Sequence, residues 1–140
     1  MTYYSDEIKP GLAESFTKTV TEKEIALFGE VSGDMNPVHF DQAFAETTIF
    51  KGRVAHGMLS GSFISTVIGT KLPGPGAIFI SLDMKFLAPV HIGDEVVTTC
   101  TVREVLPKRR MILDCVCAVG DKTVISGQAV AMAPMRPKSA

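Results

Sequence analysis

Asp34 and His39 stand five residues apart in the run Ser32-Gly33-Asp34-Met35-Asn36-Pro37-Val38-His39. A carboxylate and an imidazole that reach the same water can divide its proton transfers between them, one accepting a proton and the other delivering one. Pro37 forces Asn36 out of the α region, so the pair rides on irregular backbone between two short helical stretches. Taken alone, such a spacing more often marks an aspartate that caps a turn and a histidine that is partly buried for structural reasons.

A second run, Arg53-Val54-Ala55-His56-Gly57-Met58, leads straight into a long apolar segment. The first N–H groups of a helix have no partner within it and carry partial positive charge. A glycine at that point lets a ligand approach the backbone closely. Such a place can hold a carbonyl oxygen as negative charge builds on it, although a glycine that merely relieves crowding at the helix start explains the residue equally well. His56 looks catalytic by its position but reads better as part of the turn, and His91 as a surface residue. Lys108, Arg109 and Arg110 read as a solvated turn rather than a phosphate site. Cys100, Cys115 and Cys117 are an odd set without a leader-like segment, and they read as small buried hydrophobes rather than a disulfide framework or metal ligands. No metal site is expected.

The elements that must position these residues follow from pattern. Thr21 and Glu24 form a capping box opening a helix whose apolar side is Ile25, Leu27, Phe28 and Val31, stopped by Ser32-Gly33. Asp41 can cap a further short helix to about Thr47. From Gly57 to about Leu72 a helix is apolar on several sides and must be buried, and Pro73 prevents its continuation. The period then changes. Ile78, Ile80, Leu82, Met84 and Phe86 alternate with mostly polar neighbours, as in a half-buried strand. Three more strands are expected at about 94–105, 110–119 and 122–132, with a tight hairpin at Gly120-Asp121. An extended segment, Gly11 to Val20, precedes the first helix. This is an α+β arrangement in which a sheet covers one buried helix.

The chain has 140 residues, 46% hydrophobic and 21% charged, with net charge −1 and no Trp. One domain over 1–140 is expected, with a core over about 10–132 and a frayed tail over 133–140. The absence of a basic run disfavours nucleic-acid binding. MTYYSDEIKP lacks the apolar region of a secretory leader, and no stretch is long and apolar enough to span a bilayer. A cytoplasmic setting without membrane association is therefore expected.

The two runs together resemble the MaoC-like dehydratase family, most closely its short (R)-specific enoyl-CoA hydratases. The resemblance is carried by Phe28, Ser32-Gly33-Asp34, Asn36-Pro37, His39, Asp41, Ala43-Phe44-Ala45, Thr47-Thr48, Phe50 and His56-Gly57-Met58. Leu72-Pro73-Gly74 and the segment from Pro89 to Gly93-Asp94 extend it over about residues 10 to 132. It implies a hotdog fold, a homodimer or dimer-based oligomer, and acyl-CoA substrates with no separate cofactor, CoA entering as part of the substrate. The family's proton-transfer pair falls on Asp34 and His39, and the glycine whose N–H binds the thioester carbonyl falls on Gly57. Asn36 orients the loop. Ser65, placed by helix spacing, falls on the residue lining the acyl pocket, and Ile68, three residues further on the same face, joins it.

The implied reaction is reversible hydration of trans-2-enoyl-CoA to (R)-3-hydroxyacyl-CoA. One alternative is a hotdog acyl-CoA thioesterase, which shares the helix-start carbonyl site. Another is a non-catalytic acyl-thioester-binding subunit, which has no need of a proton-transfer pair. Carrier-protein thioesters also remain open as substrates, as do chain length and pathway.

Overall fold

A computed structural model describes residues 1–138 of the chain. Its first strand, β1 (Ala13–Thr19), is followed by helix α1 (Glu22–Ser32), two short helices α2 (Pro37–Phe40) and α3 (Gln42–Glu46), and the long helix α4 (Gly57–Thr70). Four strands complete the chain: β2 (Ile78–Phe86), β3 (Glu95–Leu106), β4 (Arg110–Val119) and β5 (Lys122–Met132). They form one antiparallel sheet in the order β1-β3-β4-β5-β2, so that β1 and β2 are its edges. The sheet curls around α4, the hotdog architecture that the resemblance implies.

Local chemistry sets the boundaries. Thr21 caps α1: its hydroxyl accepts the Lys23 N–H at 3.3 Å, while Glu24 accepts the Thr21 N–H at 2.8 Å. Gly33, at φ 79°, closes the helix in the left-handed conformation open to glycine, its N–H donating to the Gly29 carbonyl at 2.9 Å. The Asp41 carboxylate accepts the Phe44 N–H at 3.1 Å and starts α3. The hairpin at Gly120-Asp121 forms as expected, with Val119 opposite Lys122.

Helix α4 is a poor helix by propensity. Gly61 and Gly69 each cost about 1 kcal/mol relative to alanine, and Ile64, Val67 and Ile68 are β-branched. Burial decides the matter: Leu59, Phe63, Ile64, Val67 and Ile68 are all sealed from solvent, and each contributes about 1.5–3 kcal/mol. They pack on one face of the sheet, against Val96, Cys100 and Val102 of β3, Met111, Leu113, Cys115 and Cys117 of β4, and Ala129 and Ala131 of β5. The three thiols are free, with Cys100 and Cys115 sulfurs 3.6 Å apart. The glycines let β2 lie close to α4. A Cβ on Gly57 would come within 2.7 Å of the Phe86 ring, and one on Gly61 within 2.8 Å of Met84.

Two expectations change. Pro37–Phe40, read as irregular, forms a helical turn, because Asn36 caps it and Pro37 fills the first helical position, where a missing N–H costs nothing. The tail expected to fray from 133 is held through Arg136. Ala133 is buried and donates to Arg109, the Pro134 carbonyl accepts the Ser5 N–H at 2.9 Å, and Arg136 pairs with Asp6 at 3.1 Å while lying over Tyr4. The final two residues of that expected tail, 139 and 140, lie outside the described residues.

Candidate active site

The loop between α1 and α2 and the start of α4 meet at one cavity of about 630 Å³. Asp34, Asn36, His39, His56 and Gly57 all line it. Asp34 is exposed, whereas His39 is 8% and His56 2% exposed. One atom from each of Asp34, His39 and His56 lies within 4.8 Å of the other two, so residues separated by 22 positions share one small volume.

Hydrogen bonds fix the proton on each imidazole. His39 Nδ1 lies 2.8 Å from the Val54 carbonyl oxygen. A carbonyl oxygen only accepts, so Nδ1 carries the hydrogen and Nε2 is left with a free lone pair. His56 Nε2 lies 2.9 Å from the Asp34 carbonyl oxygen, so Nε2 donates there and Nδ1 holds the lone pair. Burial pushes the His39 pKa below its ordinary value, outweighing the Val54 hydrogen bond, and the neighbouring His56 adds to the fall. Neutral His39 is therefore a proton acceptor at neutral pH. The two imidazoles stack at 3.9 Å between centroids, 31° from parallel.

The backbone around the pair is tied from several sides. The Asn36 N–H donates to the Asp34 carboxylate at 3.2 Å, and the Asn36 side-chain oxygen accepts the Val38 N–H at 3.2 Å. Arg53 donates from Nε to the His39 carbonyl at 2.8 Å and pairs with Glu22 at the start of α1. His56 is the N-cap residue of α4 but places no side-chain hydrogen bond over the helix start. The first N–H groups of α4 therefore keep the partial positive charge of an uncapped terminus, and Gly57 carries no side chain to cover them. Apart from Ser60, the remaining wall is apolar: Val38, Val54, Ala55, Val90, Val124 and Ile125 line it within the fold, and Ile49, Phe50, Met58, Phe86 and Leu87 around its exposed parts.

Asp34, Asn36, His39 and Gly57, singled out by sequence, are thus brought together. Ser65 and Ile68 are not on this cavity wall. Ser65 is exposed and Ile68 is in the core between α4 and the sheet. Ile68 lies roughly 16 Å along the helix axis from Gly57. Helix α4 contributes Gly57, Met58 and Ser60 instead. Ser60 went unnoticed because a serine in a small-residue run looks like packing, and only its burial against the cavity distinguishes it. The bond from His56 to the Asp34 carbonyl was likewise invisible, since it joins a side chain to a backbone oxygen 22 residues away.

A sheet curled around one helix, with a carboxylate and a neutral imidazole facing that helix's uncapped start, defines a hotdog protein built to handle an activated carbonyl compound and a water. The chain belongs to the MaoC-like domain family, whose model matches residues 6–124. It is 47% identical to an (R)-specific enoyl-CoA hydratase of Rhodospirillum rubrum, over 96% of this chain and 94% of that protein. It is 41% identical to a 3-hydroxybutyryl-CoA dehydratase of Methylorubrum extorquens, over 97% of this chain and 87% of that one. Among solved structures, the unliganded R-hydratase PhaJ1 of Pseudomonas aeruginosa superposes with a TM-score of 0.91 at 40% identity, covering 99% of this chain and 92% of its own.

Proposed function

We propose that this chain is a lyase that adds water to trans-2-enoyl-CoA thioesters, giving (R)-3-hydroxyacyl-CoA, and that it runs the dehydration in reverse. The observation that carries the reading is the free Nε2 lone pair of a neutral, buried His39 gathered with the Asp34 carboxylate beside the uncapped start of α4. The thioester oxygen sits against the Gly57 N–H, and the positive end of the helix draws electron density toward it and away from C3. Water held between Asp34 and His39 forms its O–C3 bond while Nε2 of His39 takes its proton. The Asp34 carboxylate accepts a hydrogen bond from the water's other O–H, whose hydrogen stays on the new hydroxyl, and stabilises the imidazolium. The enolate collapses as the imidazolium returns a proton to C2. Both additions come from one side, so the outcome is syn, and the C–S bond is untouched. No cofactor enters, because CoA is part of the substrate.

The named activities of the relatives support the same reaction. The acting form is a homodimer or a dimer-based oligomer. Edge strand β2 has one sheet neighbour, β5, and leaves Ile78, Ile80 and Phe86 about half exposed, a surface that a monomer in water would not keep. Free thiols 3.6 Å apart suit a reducing compartment, and no helix among the described residues is long and apolar enough to cross a membrane. We propose a cytoplasmic setting, which the free thiols support.

The test is a rate survey with enoyl-CoA substrates of increasing length, following loss of the conjugated thioester's ultraviolet absorbance while a thiol reagent reports free CoA. Hydration without CoA release is expected. Release of CoA faster than hydration would make the chain a thioesterase. Binding with neither reaction would make it a carrier or binding subunit.

A further inference from the structure

Gly57 and Gly61 stand one turn apart on α4, and β2 lays a side chain over each, Phe86 on the first and Met84 on the second. The two side chains are two apart on a strand, so both leave it on the same face. A Cβ at position 57 would stand 2.7 Å from Phe86 Cδ1 and 2.8 Å from Cε1, so the ring occupies the space that any other residue there would fill. Standard bond lengths place Cδ1 within about 6 Å of the Gly57 nitrogen. The ring's backbone is held by β5: Phe86 pairs with Ile125, and the Leu87 N–H donates to the Val124 carbonyl at 2.8 Å. Phe86 and Gly57 line the same cavity, and both are open to it. No side chain caps the helix start, so this aromatic ring is what stands beside its first N–H.

We propose that Phe86 is a substrate-positioning wall of the carbonyl site: its ring excludes water from one side of the Gly57 N–H and holds the thioester against it, and glycine is needed at 57 to admit that ring. The inference rests on the hydratase reading. Water screens a helix start, and an apolar neighbour lowers the local dielectric, so the same N–H stabilises a developing oxyanion more strongly. The gain grows with the charge on the oxygen and therefore appears in kcat more than in KM. A glycine kept only for close approach of the substrate predicts something different. A methyl group at 57 then meets the substrate whatever residue stands at 86, and the two positions behave independently.

The test is a double-mutant cycle on crotonyl-CoA hydration with wild type, Gly57→Ala, Phe86→Ala and the double variant. Phe86 is half exposed, so its truncation leaves the core intact. Phe86→Ala lowers kcat about tenfold with KM within about threefold, and Phe86→Leu, which keeps a large apolar side chain, recovers most of the loss. Gly57→Ala pushes the ring aside and costs about thirtyfold in kcat on the wild type, but only about threefold on the Phe86→Ala background. Each cost is a ratio within one background, so a general loss of stability or assembly caused by Phe86→Ala cancels. Costs of Gly57→Ala that agree within about twofold on the two backgrounds overturn the proposal, and so does a Phe86→Ala protein within about twofold of the wild-type kcat. Failure of the underlying reading looks different: the wild type then hydrates neither crotonyl- nor octenoyl-CoA.

Discussion

Replacing His39 by glutamine separates the chemistry of the site from its architecture. The glutamine amide can still donate to the Val54 carbonyl, which His39 Nδ1 reaches at 2.8 Å. If that bond is kept, little stability is lost; if it fails, a buried carbonyl goes unpaired at about 1–3 kcal/mol. What glutamine cannot supply is the lone pair of Nε2. General acid–base groups contribute ~10²–10⁴-fold, equivalent to about 2.7–5.4 kcal/mol of transition-state stabilisation. The expected result is a fall in kcat of that size with KM little changed. Crotonyl-CoA hydration is measured alongside unfolding in urea, so that a destabilised protein is not mistaken for a chemically crippled one. The pH profile adds a second readout. Burial depresses the His39 pKa, so the acid limb of kcat/KM in the wild type has its midpoint below the ~6.5 of a free imidazole, and His39→Gln removes that limb. A folded His39→Gln protein that keeps its rate and its acid limb would refute the assignment of His39.

Asp34→Asn lowers kcat by a similar factor, and the double variant with His39→Gln is far less than multiplicatively worse, because the two groups act on one water. Folding stability falls as the pH drops below about 6.5, since the unfolded imidazole protonates there while burial keeps folded His39 neutral. Stability from this group is therefore complete above that value and is lost as the pH falls through the lower folded pKa, and urea titrations of His39→Gln show a flatter dependence. Thr21→Ala removes the cap and capping box of α1 and costs about 1 kcal/mol, measured by the same unfolding assay. Ile80→Glu on the exposed edge of β2 shifts sedimentation toward monomer; an unchanged assembly would move the interface elsewhere.

Periodicity located the helices and strands, although burial in β2 departs from it, with Ile78, Ile80 and Phe86 about half exposed. Alternation in 78–86 and the capping box at Thr21 are local signals, and the structure honours them. The turn at Pro37–Phe40 escaped because four residues are too few to show a period, and its only marker was proline after a capping asparagine. Asp34, His39 and Gly57 were legible through motif resemblance, not through spacing. The bond from His56 to the Asp34 carbonyl was not legible, because it depends on which polar atoms find partners after folding. Helical spacing suggested Ser65 and Ile68 for the acyl wall; the cavity of the single chain meets α4 over its first turn or so and does not reach them.

The bond from His56 to the Asp34 carbonyl joins the two halves of the reaction centre through a single residue, whose backbone begins the helix and whose ring holds the loop. On the proposed mechanism it works as a caliper, setting the gap between the attacked carbon and the attacking water without reference to the acyl walls. Those walls come mostly from other segments, including β2, β5 and the stretch after Thr48. Chain length and headgroup preference can consequently drift during evolution, or be rebuilt by design, while the jaws of the caliper stay fixed.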